Sequence, residues 1–373
     1  MSETTSKRRL EWSVFLFLLL NPFAAVVGLG VAAWMGILWN PGIWIFAFVY
    51  AIAANLSITA GYHRLFSHRS YEAHPLVQWF VALVGASAFE GSILKWSSDH
   101  RRHHGEVDTD GDPYSIQKGF WHAHMGWLLW KDSVDLPIEK VADLQKNPRV
   151  LFQHRYYAWL ATLMGFLVPM AVGAFFGSAF VGLIVGGSLR IFLNQQSTFF
   201  VNSLCHTLGS QTYSKTVSAR DSFFVALLTH GEGYHNFHHT FQIDYRNGIK
   251  WYQWDPTKWT INSLRWMGLA TKLRTVSPSE ILKARLQTEG LRLTHSGFSQ
   301  ERIEQMRLKV LEAQARWRKM KEEYVLLKRQ AREAGEAKMR ELKFELTLAK
   351  REFRAALAEW RFTLRAAPAR ARI

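Results

Sequence analysis

Residues 12–68 read WSVFLFLLLNPFAAVVGLGVAAWMGILWNPGIWIFAFVYAIAANLSITAGYHRLFSH, and no Asp, Glu, Lys or Arg occurs from Trp12 to Tyr62. This run exceeds the ~20 apolar residues that cross a bilayer, and it is long enough to cross twice. It is interrupted at Asn40-Pro41-Gly42, a typical turn sequence. We therefore predict two transmembrane helices, at about 13–39 and 43–60, joined by a tight hairpin.

A second charge-free run extends from Tyr156 to Leu189 and is interrupted near Phe176-Gly177-Ser178. It predicts another hairpin, with transmembrane helices at about 156–175 and 179–203. The apolar segment after Pro75 is shorter than the ~18 residues that mark a spanning helix. We predict an interfacial helix at about 75–94, so that the histidines before and after it stay on one side. The fold class is an all-α integral membrane protein with four transmembrane helices and a cytoplasmic helical cap.

Basic residues at the N-terminus predict the orientation. Lys7, Arg8 and Arg9 precede the first helix, whereas both hairpin turns are uncharged. The positive-inside rule therefore places segment 1–12 in the cytoplasm, and four crossings return the C-terminus there. A signal peptide also begins with basic and then apolar residues, but this apolar stretch is too long and continues into a second span. We expect a multi-pass protein of a bacterial inner membrane, or of the endoplasmic reticulum in a eukaryote, with both termini and the active site cytoplasmic.

The composition combines two unlike regions. The 373 residues carry a net charge of +16, and the mean hydropathy of −0.09 averages the apolar runs with a charged C-terminal region. From Glu301 onwards there are 20 Lys and Arg against 11 Glu, which supplies nine of those sixteen charges. This composition excludes a small soluble domain and a disordered chain. A single cysteine, Cys205, excludes an intramolecular disulfide framework.

The tail, residues 296–373, is predicted to be a separate helical or coiled-coil extension. Apolar residues recur there at alternating intervals of three and four, from Ile303 through Trp317 to Ala334. After Gly335 the repeat resumes one residue out of phase, from Met339 to Trp360. Either one helix carries a skip at Gly335, or two helices fold back there. The tail could form a homo-oligomer, pack on the catalytic domain as a hairpin, or lie on the membrane as a basic amphipathic arm. Its mixed charge argues against nucleic-acid binding, and we favour the hairpin or coiled coil.

Nine of the fifteen histidines occur in short, regularly spaced groups. These are His63 and His68 in HRLFSH, His100, His103 and His104 in HRRHH, His235, His238 and His239 in HNFHH, and His206, four residues after Asn202. Residues three and four apart share a helical face, so each HxxHH box can direct three imidazoles to one point. Neutral imidazole suits zinc, copper, iron and nickel, and nine imidazoles are too many for one ion. The count predicts two ions, each held by four or five imidazoles. The alternative for a single box is a basic patch facing anionic lipid.

These boxes, their order and the intervening membrane segments resemble the membrane fatty-acyl desaturases, and most closely the acyl-CoA Δ9 (stearoyl-CoA) desaturase family. The resemblance covers about residues 21–269. It rests on the segments Gly61–His68, Asp99–His104, Gly119–Trp121 with Gly126–Leu129, Asn202–His206 and Glu232–His239. It implies a membrane desaturase domain at 13–290, and it does not extend to the tail.

The resemblance also implies the chemistry. In that family nine histidines bind a di-iron centre, and an asparagine reaches one metal through water. Carried over by position, the ligands are His63, His68, His100, His103, His104, His206, His235, His238 and His239, with Asn202 as the water-mediated contact. The implied reaction is the O2-dependent desaturation of a fatty acyl chain, which uses two external electrons for each O2. No catalytic residue is expected beyond the di-iron centre.

Acidic residues beside the boxes are candidates to accept hydrogen bonds from the metal-bound imidazoles, because such imidazoles usually donate their second N–H. They are Asp99, Glu106, Asp108, Asp110, Asp112 and Glu232. The Asp108–Asp112 spacing superficially resembles a calcium loop, but no Glu occupies its twelfth position.

No haem, flavin or iron–sulfur pattern is visible in the sequence, so the electrons are expected from a separate carrier. An acidic ferredoxin, a rubredoxin or a b-type cytochrome with its reductase would suit the basic surface. That surface could also bind coenzyme A phosphates or anionic lipid. Arg190, about 24 Å along a helix from His206, is a candidate substrate contact or a structural partner of a neighbouring helix.

Two other functions stay open at this point. One is a related histidine-box hydroxylase or desaturase that acts on alkanes, sphingolipids or phospholipid-bound chains. The other is a membrane protein that binds or transports metal. Transport predicts ionisable groups along a path through the membrane, whereas the histidines are predicted at one cytoplasmic margin.

Overall fold

The structure, a computed structural model, describes residues 9–131, 138–329 and 336–367. These residues form two compact units. The first contains the described parts of 1–210 and 216–275, and the second contains 211–215 and the described parts of 276–373. Lys7 and Arg8, on which the predicted orientation partly rests, lie outside the described residues, as does Gly335.

Helices make up most of both units. In chain order they are α1 (Trp12–Trp34), α2 (Pro41–Leu56), α3 (Pro75–Ala86), α4 (Ile93–Glu106), α5 (Trp127–Leu129), α6 (Pro148–Arg155), α7 (Tyr157–Thr162), α8 (Val168–Phe175), α9 (Ala179–Val181), α10 (Arg190–Ser203), α11 (Phe223–Leu228), α12 (His235–Thr240), α13 (Pro256–Trp266), α14 (Pro278–His295), α15 (Gln300–Arg329) and α16 (Glu336–Ala366). Segments of π-helix occupy Ser57–Ser67, His122–Gly126, Leu163–Leu167 and Gly182–Leu189, and 3-10 turns occupy Ile116–Lys118, Leu144–Lys146 and Leu204–His206.

Among the described residues of the first unit, β-strands form two antiparallel pairs, and two isolated bridges join Asp221 to Ser210 and Tyr234. Strand β1 (Arg9–Leu10) pairs with β3 (Trp130–Lys131), and β2 (Glu72–Ala73) pairs with β4 (Ala270–Thr271). The second pair ties the residues just after the first histidine pair to those after α13. Each strand is only two residues long, so the pairs join distant segments of the chain but do not form a sheet layer.

Three helices among the described residues are long and apolar enough to cross a membrane: Trp12–Trp34, Pro41–Ser67 and Tyr157–Phe175. They match the first three predicted transmembrane segments. The second helix is longer than predicted, because α2 continues without a break through the π-helical segment Ser57–Ser67. His63 therefore lies on this helix, whereas the sequence suggested a position just after it.

The fourth predicted segment is a continuous helix over 179–203, but it is not among those three apolar spans. Its C-terminal half carries Arg190, Asn194 and Gln195, which are all buried. These polar side chains face the interior of the protein, so the helix is less apolar than a lipid-exposed span. The predicted count of four spans rests on this helix.

Both predicted hairpin turns exist, and they touch each other. The Asn40 side chain caps α2 by accepting from Ile43 N, and its amide donates to the Phe176 carbonyl at 2.6 Å. Gly177 adopts a positive φ of 98° at the second turn, a backbone conformation that glycine tolerates at little cost. The two turns therefore lie together at one end of the helices.

The main apolar core of the first unit surrounds the π-helical segment Ser57–Ser67. Helices α3, α4 and α13 pack on this segment, and its residues Ile58, Tyr62 and Phe66 are buried in the core. Helix α3 is apolar and, at 12 residues, too short to span a membrane, as predicted. It ends at Ala86 and not near residue 94, because the chain turns at Phe89 and Gly91, which both have a positive φ, before α4 begins at Ile93. This packing fixes the end of the second long helix, where the first histidines occur.

The second unit contains a helical hairpin. Helices α15 and α16 run antiparallel, as shown by the ion pairs Lys309–Glu359 (2.6 Å) and Arg316–Glu352 (3.4 Å). Of the two alternatives for the tail, two helices that fold back on each other are therefore found, and not one continuous helix. Helix α14 contributes to the same core, which buries Leu286 and Trp360, and the Trp360 indole donates to Glu289. The domain division near residues 290–296 stays a prediction, although α14 packs with the tail helices.

Candidate metal centre

Four segments of the first unit present the nine grouped histidines. The long second helix provides His63, with His68 at its C-terminal cap, and α4 provides its HRRHH box. The 3-10 turn after α10 provides His206, and α12 provides the HNFHH box.

The π-helical turn explains how His63 and His68 meet although they are five residues apart. The backbone N–H of His68 donates to the carbonyl of His63 at 3.0 Å, which is the i to i+5 bond of a π-helix. The two ring centroids are 4.8 Å apart. In an α-helix this spacing would turn the two side chains away from each other. The conformation of the segment therefore makes the first histidine pair.

The nine imidazoles form two groups, and within each group the nearest ligand atoms lie within 4.8 Å of one another. We call them the five-histidine group and the four-histidine group. The five-histidine group contains His63, His68, His100, His104 and His238, and the four-histidine group contains His103, His206, His235 and His239. This division agrees with the predicted count of four or five imidazoles for each of two ions.

Each HxxHH box is shared between the two groups. Residues four apart stay together, so His100 and His104 belong to one group and His235 and His239 to the other. The middle histidine of each box belongs to the opposite group: His103 to the four-histidine group and His238 to the five-histidine group. The expectation that a box directs all three imidazoles to one point is therefore wrong, because residues three and four apart diverge enough to face separate centres. Helices α4 and α12 consequently bridge both groups.

The Nε2 atoms face inward within and between the groups. His63 and His238 approach at 3.0 Å, His68 and His100 at 2.8 Å, and His235 and His239 at 3.0 Å, each measured between Nε2 atoms. Rings whose Nε2 atoms converge in this way can share one metal ion. The arrangement is typical of a metal site built from Nε2 donors.

The Nδ1 atoms of several of these rings face outward, to acceptors on the surrounding chain. His63 Nδ1 lies 3.0 Å from Glu232, and His103 Nδ1 lies 2.9 Å from Asp112. His206 Nδ1 lies 2.6 Å from the Ser218 hydroxyl, which in turn donates to Asp108 at 2.5 Å. An acceptor at Nδ1 selects the tautomer that leaves Nε2 free for a metal.

A buried ionic network supports the Glu232 carboxylate. Arg64 donates to Glu232 at 2.8 Å and also pairs with Asp255 at 3.0 Å, and all three side chains are at most 2% exposed. The Asn247 amide donates to the second Glu232 oxygen at 2.6 Å. Burial alone would raise the pKa of Glu232, but Arg64 and His63 lower that pKa to about 2. Glu232 is therefore an anion at neutral pH and can only accept hydrogen bonds.

The donor set suits a transition metal. Burial, together with neighbouring imidazoles, holds the pKa of seven of the nine histidines below the usual value: His68, His100, His104, His206, His235, His238 and His239. Neutral imidazole is the form that binds a metal. His206 Nε2 is buried and has no hydrogen-bond partner among the described residues, so a metal would satisfy it. The residues present thus fit two metal ions.

Comparison with known proteins agrees with this geometry. A profile of the fatty acid desaturase family matches residues 39–264, which contain all nine clustered histidines. The chain belongs to the fatty acid desaturase family.

Among the relatives of this desaturase-family chain is the probable acyl-CoA desaturase of Schizosaccharomyces pombe, 46% identical over 245 residues, which are 65% of this chain and 51% of the relative. Acyl-CoA desaturase 1 of Saccharomyces cerevisiae is 43% identical over 66% of this chain and 49% of its own length. Human stearoyl-CoA desaturase 5 is 39% identical over 65% of this chain and 76% of its own length. The chain thus spans about half the length of the two yeast relatives.

Other candidates in this desaturase-family site have different partners. Asp99 pairs with Lys95 at 3.1 Å, and Glu106 pairs with Lys140 at 3.3 Å, while Asp110 is exposed. These three carboxylates do not accept from the histidines in the structure. Asn202 is half-buried on α10, one turn before His206.

Arg190 is accounted for by contacts with neighbouring helices. Its guanidinium donates to the Ser87 carbonyl at 3.0 Å and to the Gly186 carbonyl at 2.7 Å, and it lies 4.6 Å from the centre of the Tyr50 ring. The residue is 2% exposed. These contacts favour the structural alternative over the substrate contact.

Several residues of the site belong to no sequence motif and were not predicted as site residues. Trp96 stacks on the His100 ring at 4.8 Å, and the Tyr114 hydroxyl lies 3.2 Å from His100 Nδ1. Ser218, Asn247 and Asp255 come from loops that share no motif with the boxes. Only the position of Trp96, four residues before His100 on one helix, places it on a shared face. His124 is also buried, with its two ring nitrogens near the side chains of Ser203 and Gln196.

Glu90 is a half-buried acid next to Trp96. It accepts from the Thr198 hydroxyl at 2.9 Å, and its other oxygen is buried with no partner among the described residues. Burial raises the pKa of Glu90 to about 8, although the neighbouring Thr198 and Trp96 side chains lower it. At neutral pH the folded protein therefore holds this carboxyl largely protonated.

Replacing Glu90 with glutamine is expected to change how stability depends on pH. Unfolded Glu90 ionises near pH 4.5, so between about pH 4.5 and 8 the unfolded state binds fewer protons and wild-type stability falls as pH rises. The variant lacks this loss, and its melting temperature should fall less than that of the wild type between pH 5 and 8.5. Melting curves of detergent-solubilised protein measure the difference. Glu72→Gln, at an exposed site, is the control, and equal pH profiles for all three proteins would contradict the burial of Glu90.

Proposed function

We propose that this chain is an integral membrane acyl-CoA desaturase that introduces a double bond at the Δ9 position of a saturated fatty acyl chain. The observation that carries the proposal is the division of nine imidazoles, seven of them buried and two half-buried, into groups of five and four within a member of the fatty acid desaturase family. The names of the yeast and human relatives support acyl-CoA as the substrate.

Two iron ions are the proposed cofactor. His63, His68, His100, His104 and His238 would hold one ion, and His103, His206, His235 and His239 the other, with Asn202 reaching a metal through water. When bound, the iron pair supplies the redox chemistry with O2 that breaks unactivated C–H bonds, which side chains alone cannot break. In the overall reaction, one O2, two electrons and two protons take two hydrogen atoms from the chain and yield two waters.

The protein's own contribution is to orient the imidazoles. Glu232 and Asp112 accept from the Nδ1 atoms of His63 and His103, so both rings are held as the Nε2 donor. Asp108 orients His206 in the same way through the Ser218 hydroxyl. Trp96 covers the face of His100 and excludes water from that side. An oxidising centre needs such a dry wall, because water would intercept reactive species.

The proposed membrane arrangement has four spans, the fourth being the helix over 179–203. Its support is the contact between the two hairpin turns, Asn40 with Phe176, because turns that touch lie on the same side of the bilayer. With the basic N-terminus in the cytoplasm, the helix ends that carry the histidine groups would then face the cytoplasm as well. Arg190 faces inward on this helix, where its partners offset the cost of burying a charge.

The electron donor is proposed to be a separate protein, such as a ferredoxin, a rubredoxin or a cytochrome of the b type with its reductase. Its support is the net charge of +16, which would attract an acidic carrier.

The test is a reconstituted reaction. Purified protein loaded with iron, given stearoyl-CoA, O2 and a reducing system, is expected to form oleoyl-CoA, identified by mass spectrometry of the released fatty acid. Exclusively hydroxylated chains would assign the related hydroxylase chemistry. Activity only on phospholipid-bound or sphingolipid chains would contradict the acyl-CoA substrate. Metal movement into sealed vesicles without any product would indicate a transporter.

A further inference from the structure

Helix α16 of the second unit carries an exposed face opposite its buried seam. The seam includes Ala349, Ala356 and Trp360, all buried. On the far side, Phe344 and Phe362 are 70% and 74% exposed. The two phenylalanines are five helical turns apart, about 27 Å along one line of the helix. Leu348, 48% exposed, lies between them.

The charges of α16 divide between its two flanks. Basic side chains border the exposed phenylalanines on one flank: Lys343, Lys350, Arg351, Arg354, Arg361 and Arg365, all exposed. Among the described side chains of α16, the acids lie on the other flank, towards α15. Glu352 and Glu359 pair there with Arg316 and Lys309. We call the phenylalanine line with its basic flank the outer face of α16.

We propose that the outer face of α16 lies on an anionic lipid surface. Exposed aromatic residues beside a row of cations, on one face of a long helix, are the pattern of helices that bind in the plane of a membrane interface. The cations would meet the headgroup phosphates while Phe344 and Phe362 enter the boundary of the acyl chains. The first unit contains helices long and apolar enough to cross a membrane, so the chain itself links the second unit to a bilayer and raises the effective concentration of lipid around it.

A second copy of the chain fits the outer face less well. The described residues of the outer face include six exposed cations and no acid, so two such faces packed about a two-fold axis would bring like charges together without counter-charges, which is unfavourable. An acidic protein would satisfy the cations, but it would have to cover a narrow aromatic line along a single helix. The proposal does not depend on the desaturase reaction, because it concerns only the second unit.

A fluorescence experiment on the full-length protein tests the proposal. Cys205 is buried, so Phe344→Cys introduces a single reactive thiol for an environment-sensitive dye. In nanodiscs with phosphatidylglycerol the emission should shift to shorter wavelength, and lipids with a quencher near the headgroup should quench it more than lipids with a deep quencher. Nanodiscs of phosphatidylcholine alone should give a smaller shift. A dye at Glu322→Cys on α15 is the position control.

Charge reversal provides the matched comparison. Arg354→Glu with Arg361→Glu should abolish the shift in anionic nanodiscs, whereas Lys319→Glu with Lys328→Glu on α15, an equal change in net charge, should retain it. Circular dichroism verifies that both variants keep their helices. An unshifted spectrum in anionic nanodiscs would overturn the proposal. A shift in detergent that is accompanied by energy transfer between labelled copies would indicate a dimer and would also overturn it. A shift that requires an added acidic protein would overturn it as well.

Discussion

Replacing His235 with alanine is expected to abolish desaturation and to remove one of the two metal ions. His235 belongs to the four-histidine group, and three imidazoles remain without it. A site with three protein ligands keeps an open position and holds its metal more weakly. We expect product formation to fall by more than about 100-fold, given that loss of even an outer partner of a ligand costs 10–100-fold. Turnover of stearoyl-CoA and metal content by mass spectrometry measure both effects.

The same substitution at His104 provides an internal comparison. The five-histidine group keeps four imidazoles without His104, so its metal should be retained better than in His235→Ala, although desaturation is again lost. His295→Ala, an exposed residue of α14, is the control for removal of an imidazole. Equal metal content and near-normal turnover in His235→Ala would contradict the assignment of the four-histidine group.

Replacing Glu232 with alanine is expected to destabilise the protein as well as the site. Arg64 is 1% exposed and relies on Glu232 and Asp255 for its charge compensation. Removing one partner of a buried ion pair costs about 3–5 kcal/mol, because the remaining charge stays buried. His63 also loses its acceptor, which should reduce metal affinity by about 10–100-fold. Melting temperature in detergent and metal titration measure the two losses separately.

Glu72→Ala is the matched control, because Glu72 pairs with Lys272 at 3.0 Å and the two side chains are 61% and 74% exposed. An exposed pair contributes about 0–1 kcal/mol, so this variant should melt close to the wild type. Glu232→Gln keeps the size and one acceptor oxygen and should fall between the two. If Glu232→Ala and Glu72→Ala melt alike, the network around Arg64 does not stabilise the fold.

The long apolar segments were predictable because membrane helices are determined by composition over about twenty residues. The charge-free run from Trp12 indicated the first two helices and their turn at Asn40. Two features were not predictable in this way. The second helix extends to Ser67 because its buried packing with α3 and α4 continues there. The helix over 179–203 buries Arg190 and Asn194 inside the protein, and hydropathy alone cannot predict that polar side chains on a membrane helix face inward.

The identities of the clustered histidines were predictable from their spacing, but their partition was not. Spacing indicates which side chains share a helical face, whereas assigning His103 and His238 to opposite groups requires knowing how α4 and α12 cross. The meeting of His63 with His68 depends on a π-helical turn that no spacing rule includes. Likewise Ser218 and Asp255 reach the site from distant loops, and only the tertiary fold brings them there.

The most direct test of the two-metal account is anomalous X-ray diffraction from crystals of the full-length protein, with data at the absorption edge of the bound metal. We predict two anomalous peaks for each chain, one surrounded by the Nε2 atoms of the five-histidine group and the other by those of the four-histidine group. A single peak shared by all nine imidazoles, or peaks at the Asp108–Asp112 loop and none among the histidines, would contradict the account.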